Sequence, residues 1–225
     1  MSALLPVLQS WLVARAKRTL KRERPFMITV SGTVGKSTTK QAVAAILRAD
    51  EAPIQVRVSA KNYNNELGVP LTVFGLLAPG RSILAWLRLL FKAGLTSVGI
   101  LKTKVQTFVL ELGVDGPHDM ERLADCVTPD IVVITALTPD DPRLAPSHTA
   151  NFASIEALVE EESKIVSVLR PQGTLIVNAD DPRAFALRHA TQGHTLSFGE
   201  MEAADVHMVR TRVRTEEGKY GHVPI

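Results

Sequence analysis

Cysteine is nearly missing from this chain: Cys126 is the single one in 225 residues. One thiol cannot build a disulfide framework, so a reducing cytoplasm is the expected setting. Cys126 follows "ERLAD" on an expected helix, where a small buried hydrophobe is the expected role rather than a nucleophile. Aromatic residues are scarce, at 5%, while the 45% hydrophobic and 22% charged fractions are ordinary for a globular protein. A chain of this length buries a core without metals or disulfides. A long uncharged apolar run is also absent. The nearest approach, "SILAWLRLLFKAGLTSVGI", carries Arg88 and Lys92 within it and makes a poor spanning helix. Its residues from Ile83 to Phe91 instead suggest an amphipathic helix lying on the protein's own surface or on a partner. The start, "MSALLPVLQSWLVARAKR", places apolar residues before charges, the reverse of a secretory signal. A soluble protein is expected. Internal repeats and low-complexity tracts are not found.

Charge is nearly balanced, at a formal +3, but it is unevenly spread. Arg15, Lys17, Arg18, Lys21, Arg22 and Arg24 crowd one stretch. Residues 1–25 are therefore read as a basic N-terminal helix with a solvated charged face. A grip on anionic lipid or nucleic acid is the minor reading; no nucleic acid is expected as a partner.

What is present is an alternation of strand-like and helix-like runs. "FMITVSG", "IQVRVS", "VQTFVLELG", "DIVVITAL" and "TLIVNA" read as five strands. Helical runs are expected over Lys36–Leu47, Pro117–Cys126 and Phe152–Leu169. Continuous Val/Ile/Leu runs between helices predict an α/β fold, a doubly wound and mostly parallel sheet covered on both faces. From Asp205 onward the pattern predicts a short C-terminal β-hairpin turning around Glu217 and Gly218. The segment "TPDDPRLAPSH" is the expected mobile loop. In such a fold, ligands sit beyond the carboxyl ends of the strands, where "SGTVGK", "ELG", "TAL" and "NADDP" all fall.

The stretch "ITVSGTVGKSTTK" is the strongest motif. Gly32, Thr33, Val34, Gly35, Lys36, Ser37 and Thr38 follow a strand and open a helix. Glycines there let backbone N–H groups turn toward phosphate oxygens, and the helix start adds partial positive charge. Lysine then reaches the β/γ phosphates and the serine hydroxyl can hold Mg²⁺. The stricter pattern has a glycine five positions before Gly35; here Val30 stands there, so a common GTPase or kinase loop fits poorly.

"GTVGKSTTK" is similar to the phosphate loop of the Mur ligases and their folylpolyglutamate synthetase relatives. "NYNNELGVPLTV", "VLELGVDGPHDMERL", "PDIVVITAL", His148 with "NFASIEAL", and "GTLIVNADDP" follow in the family's order. The resemblance covers residues 26–200 and implies the family's central ATP-binding domain, with 201–225 as a partial hairpin of the same domain. It implies an ATP-dependent ligase that forms an amide bond through an acyl phosphate. The Asn-rich block points to the members that add D-alanyl-D-alanine to a UDP-MurNAc-peptide in cell-wall precursor synthesis. By the same resemblance, Lys36 binds the β/γ phosphates, and Ser37 and Glu111 hold Mg²⁺. His148 helps hold a further metal. Asn178 and Asp181 lie near the adenine and ribose, and Asn62, Asn64 and Asn65 line the substrate side. A turn with a helix N-cap is the structural alternative for Asn178 and Asp181, and Asn-rich turn chemistry for the three asparagines.

Three departures from the family stand out. Many members carry a carbamate-modified, metal-ligating lysine where this chain has Glu162, in "EEESKI". Glu162 is expected either to serve a metal directly or through water, or to be a solvated helix charge. Ala136 and the long following loop replace a Thr-Asn pair. The family's UDP-binding and C-terminal ligase domains have no counterpart in these residues. The expectation is an isolated or truncated central domain, not competent for ligation alone, working with a separate ligase domain or subunit. Two other functions are kept beside it: a non-catalytic nucleotide-binding module acting with a partner, and another P-loop NTPase or phosphotransferase.

Overall fold

The computed structural model describes residues 5–49, 54–60, 63–80, 82–137 and 150–209. Seven strands form one sheet in the order β2-β3-β1-β4-β5-β6-β7. They are β1 (Phe26–Ser31), β2 (Val56–Val58), β3 (Thr107–Glu111), β4 (Ile131–Ile134), β5 (Thr174–Asn178), β6 (His194–Gly199) and β7 (Val206–His207). All six pairings are parallel. The helices among the described residues are α1 (Leu5–Glu23), α2 (Lys36–Arg48), α3 (Gly68–Phe74), α4 (Ile83–Ser97), α5 (Asp119–Cys126), α6 (Ile155–Ser163) and α7 (Pro182–Ala186).

The period of two along each strand divides the core. On one face, Met27, Phe108, Leu110, Val132, Ile134, Leu175 and Val177 pack with residues of α1, α3, α4, α5 and α6. On the other, Ile28, Val30, Val109 and Val133 pack with Val43 and Leu47 of α2. The doubly wound expectation is met, and the sheet is parallel throughout its described strands. The basic helix α1 is no appendage: Leu12, Ala16 and Leu20 belong to the larger core. Several of its cations are spoken for within the protein. Arg22 donates to the carbonyls of Ser97 at 2.8 Å and Thr96 at 2.7 Å, Arg15 lies over the Trp11 ring, and Lys17 pairs with Asp125. Cys126 is buried, and burial, helped by Asp125, pushes its thiol pKa up to about 12. It is packing, as expected, and no nucleophile.

Two elements differ from the sequence reading. The long helix expected over Phe152–Leu169 is α6 followed by a tight 3-10 stretch, Lys164–Val168. Ser154 caps its start by accepting from the Ala157 N–H. Ser163 and Ser167 donate back to the carbonyls of Val159 and Lys164, competition with the backbone that suits a tightened turn. At the C-terminal side, β7 joins β6 in parallel; the turn at Glu217–Gly218 and its return strand lie outside the described residues.

The chain runs from β1 outward to β2 and back to β3, then crosses to β4 and continues the other way. The direction of winding therefore switches around β1, and the crevice at such a point lies over the carboxyl ends of β3, β1 and β4.

Candidate functional site

The phosphate loop occupies that crevice. Gly32 has φ +127° and Gly35 has φ +85°. Only glycine tolerates the first position: a Cβ there would stand 2.4 Å from Thr135 Oγ1 and 2.8 Å from the Ala136 carbonyl. Gly35 precedes α2 with left-handed backbone, and no side chain caps the helix start among the described residues. The first-turn N–H groups of α2 are thus free of a side-chain competitor, with Ser37 and Thr38 exposed beside them.

The segment after β4 holds the loop in shape. Thr33 N–H donates to the Ala136 carbonyl at 2.6 Å, and Thr33 Oγ1 to the Leu137 carbonyl at 3.0 Å. Thr135 Oγ1 donates to the Val34 carbonyl at 2.6 Å. Asp181 extends the brace from β5: its Oδ2 accepts from Leu137 N–H at 2.6 Å, while Oδ1 caps α7 by accepting from Arg183 N–H at 2.9 Å. Asn178 Oδ1 accepts from Asp180 N–H at 2.9 Å, shaping the same turn. The N-cap expected of this stretch is there, made by Asp181.

Two carboxylates flank the loop. Glu111 ends β3 and is nearly buried. Ser37 Oγ lies 2.9 Å from each of its oxygens, and Lys40 Nζ donates to Oε2 at 2.7 Å. Its backbone N–H donates to Ser59 Oγ at 3.0 Å. Glu162, on α6, is fully buried beneath the loop. Its Oε2 accepts from Ser31 Oγ and from Gly32 N–H. Its Oε1 has no hydrogen-bond partner among the described residues and lies 3.9 Å from Lys36 Nζ. Burial raises its pKa; Lys36, Ser31 and Gly32 pull it back down. The solvated-charge alternative for Glu162 is overturned, because its side chain is fully buried and bound to Ser31 and Gly32. Lys36 Nζ itself donates to the Gly32 carbonyl.

Of the asparagines, Asn64 reaches the site. A Cβ on Gly113 would meet Asn64 Nδ2 at 2.7 Å and Lys36 Cε at 3.6 Å, so the two side chains converge there. Asn65 is used in structure: its Oδ1 accepts from Gly68 N–H at 3.0 Å at the start of α3. Asn62 and His148 lie outside the described residues. Among the described residues no three His, Cys, Asp or Glu side chains gather as a metal cluster. A hydroxyl and a carboxylate, Ser37 and Glu111, are nevertheless hard oxygen donors placed side by side, and they fit Mg²⁺ completed by phosphate and water.

Lys40 was not picked out from the sequence. The signal was available: Lys36, Ser37 and Lys40 stand at spacings of four and three on one helix and so share a face.

The family model for the Mur ligase middle domain matches residues 30–85 and 93–223. The chain belongs to the Mur ligase family. Among proteins to which this Mur ligase middle domain is similar are two named UDP-N-acetylmuramoyl-tripeptide–D-alanyl-D-alanine ligase. The one from Bacillus subtilis is 26% identical over 205 residues, covering 91% of this chain and 36% of that protein. The one from Synechocystis is 28% identical over 182 residues, covering 80% of this chain and 32% of that protein. The chain thus spans about a third of the length of these relatives. Among solved structures, MurF from Acinetobacter baumannii superposes with TM-score 0.67 at 22% identity, over 91% of this chain and 38% of that one. The MurF ligase from Thermotoga maritima in complex with ADP gives 0.65 at 22%, over 93% and 40%. These likenesses establish the fold.

Proposed function

We propose that this domain binds Mg·ATP and is the nucleotide-binding part of an amide-forming ligase that adds D-alanyl-D-alanine to a UDP-MurNAc-peptide. The observation that carries the reading is the convergence of Lys36, Ser37, Lys40 and Glu111 at the switch point of the sheet. The names of the relatives supply the substrate class. The ligation step is proposed for this domain acting with a ligase domain or subunit.

Each residue has a definable task. The first-turn amides of α2 and the Gly32–Gly35 backbone N–H groups donate to phosphate oxygens. Lys36, which rests on its own loop's carbonyl, is within reach of incoming β/γ phosphates and exchanges one oxygen partner for another. Ser37 and Glu111 would hold Mg²⁺, which when bound neutralises charge on the phosphates. Lys40 donates to Glu111 and fixes the second of its oxygens. Asn64 stands on the side of Lys36 where the substrate carboxylate would enter. Asn178 and Asp181 shape the adenine and ribose end through the braced turn. Glu162 supplies a carboxylate at the position of the family's modified lysine, with Oε1 left for Lys36, a water or a metal. Positioning and charge neutralisation are what phosphoryl transfer requires of a protein.

Calorimetric titration with Mg·ATP tests the reading. Micromolar binding is expected, and Lys36→Ala is expected to remove it. No binding by the wild type overturns the reading. Tight binding without turnover, after a ligase domain is supplied in trans, leaves a non-catalytic nucleotide module. Ligation by Glu162→Gln at the wild-type rate removes Glu162 from the site.

A further inference from the structure

The match to the family model breaks at residues 86–92, in the middle of α4. This same helix carries an unusual surface. Ile83, Leu84, Leu87 and Phe91 are 71%, 57%, 59% and 70% exposed. At 3.6 residues per turn they fall within an arc of about 100°, one stripe along the helix. The opposite side is the structural one, where Leu89, Ala93, Thr96 and Ser97 are buried against the body of the domain. Ile100 and Leu101, just past the helix end, are exposed as well. An apolar surface of this extent on one face is a docking surface.

Its rim says what docks. Arg88 and Lys92 stand along one edge of the stripe, and Lys102 and Lys104 follow it. No aspartate or glutamate occurs between Glu66 and Glu111. The acid that approaches from α1, Glu23, is engaged by Thr103 N–H and by Arg22. Protein interfaces are depleted in lysine at their centres and complement charge with charge. A stripe of Leu, Ile and Phe with a cationic edge and no acid in its own segment instead matches a helix lying in the headgroup region of an anionic bilayer, with long basic side chains reaching to the phosphates. No helix among the described residues is long and apolar enough to cross a membrane. We infer that α4 seats this domain on the surface of a membrane rich in anionic lipid. The inference is independent of the nucleotide reading.

The test is co-sedimentation of the purified chain with vesicles of phosphatidylcholine alone or mixed with phosphatidylglycerol. Wild type is expected to bind the mixed vesicles at least about tenfold better, and to be released by salt. Leu87→Glu/Phe91→Glu is expected to abolish binding, and Arg88→Gln/Lys92→Gln to weaken it about tenfold. All four side chains are outside the core, so thermal melting is expected to stay at the wild-type value and to separate lost binding from lost fold. Failure of the wild type to bind phosphatidylglycerol vesicles overturns the inference, as does wild-type binding by both variants. A dimer without lipid that Leu87→Glu/Phe91→Glu dissociates, with no vesicle binding, would assign the face to a second copy instead.

Discussion

Glu111 and Glu162 stand on either flank of one phosphate loop, each opposite a lysine of α2, yet they are built differently. Glu111 meets Ser37 and Lys40 through direct hydrogen bonds and is slightly open to solvent. Glu162 is sealed off, with one oxygen satisfied twice and the other left 3.9 Å from its lysine. The first arrangement fixes a charge. The second holds a charge at a cost, since desolvation outweighs the partners and raises the pKa. The difference teaches that one carboxylate is held fixed by its partners and the other is a group whose protonation responds to what occupies Lys36.

The largest expected effect breaks the comparison at its centre. Lys36→Ala removes the cation that faces Glu162 and is expected to cost at least about a hundredfold in Mg·ATP affinity by calorimetry, as loss of a charged hydrogen bond to phosphate does. Next, Lys40→Met strands Glu111 and is expected to destabilise the fold by about 3 kcal/mol in urea unfolding. Part of that loss is expected to return on adding Mg²⁺, or in the double variant Lys40→Met/Glu111→Gln.

A smaller effect of opposite sign sharpens the other side. With a native pKa above the ordinary carboxylate value, Glu162 binds more protons folded than unfolded between the two values. Stability therefore falls as pH rises through that window. Glu162→Gln keeps the oxygen that Ser31 and Gly32 use and drops the charge. It is expected to stabilise the domain at pH 8, the gain shrinking as pH falls toward the ordinary carboxylate range. A loss of melting temperature at pH 8 would contradict this. The smallest effect is the control. Lys17 and Asp125 are paired but exposed, so Asp125→Asn is expected to change stability by less than about 0.5 kcal/mol.

The sequence was most legible where local pattern and buried strand coincide. The runs that became β1, β3, β4 and β5 are apolar and end in the motifs that line the crevice. It was less legible at the edge. "HTLSFG", which became β6, alternates polar residues with its apolar ones and was not marked as a strand; its place is set by pairing with β5. α3 lies inside the Asn-rich block, whose asparagines carry the turn chemistry, while Pro70 fits a first helical turn. In the site, the phosphate loop is legible from its spacing and Glu111 from the family resemblance. Asn65 and Asp181 were read as ligand contacts, and their side chains also carry structural hydrogen bonds. The burial of Glu162 could not be read, because it depends on where a crossover far along the chain comes to rest.

That last contact has a consequence for synthesis. Ser31 and Glu162 are separated by 131 positions. The phosphate loop leaves the ribosome well before its floor, which arrives only after β4 has been made. Until then the loop lacks its buried carboxylate and the braces from Thr135 and Asp181. The segment made early is thus completed late, once Asp181 at the start of α7 has been added.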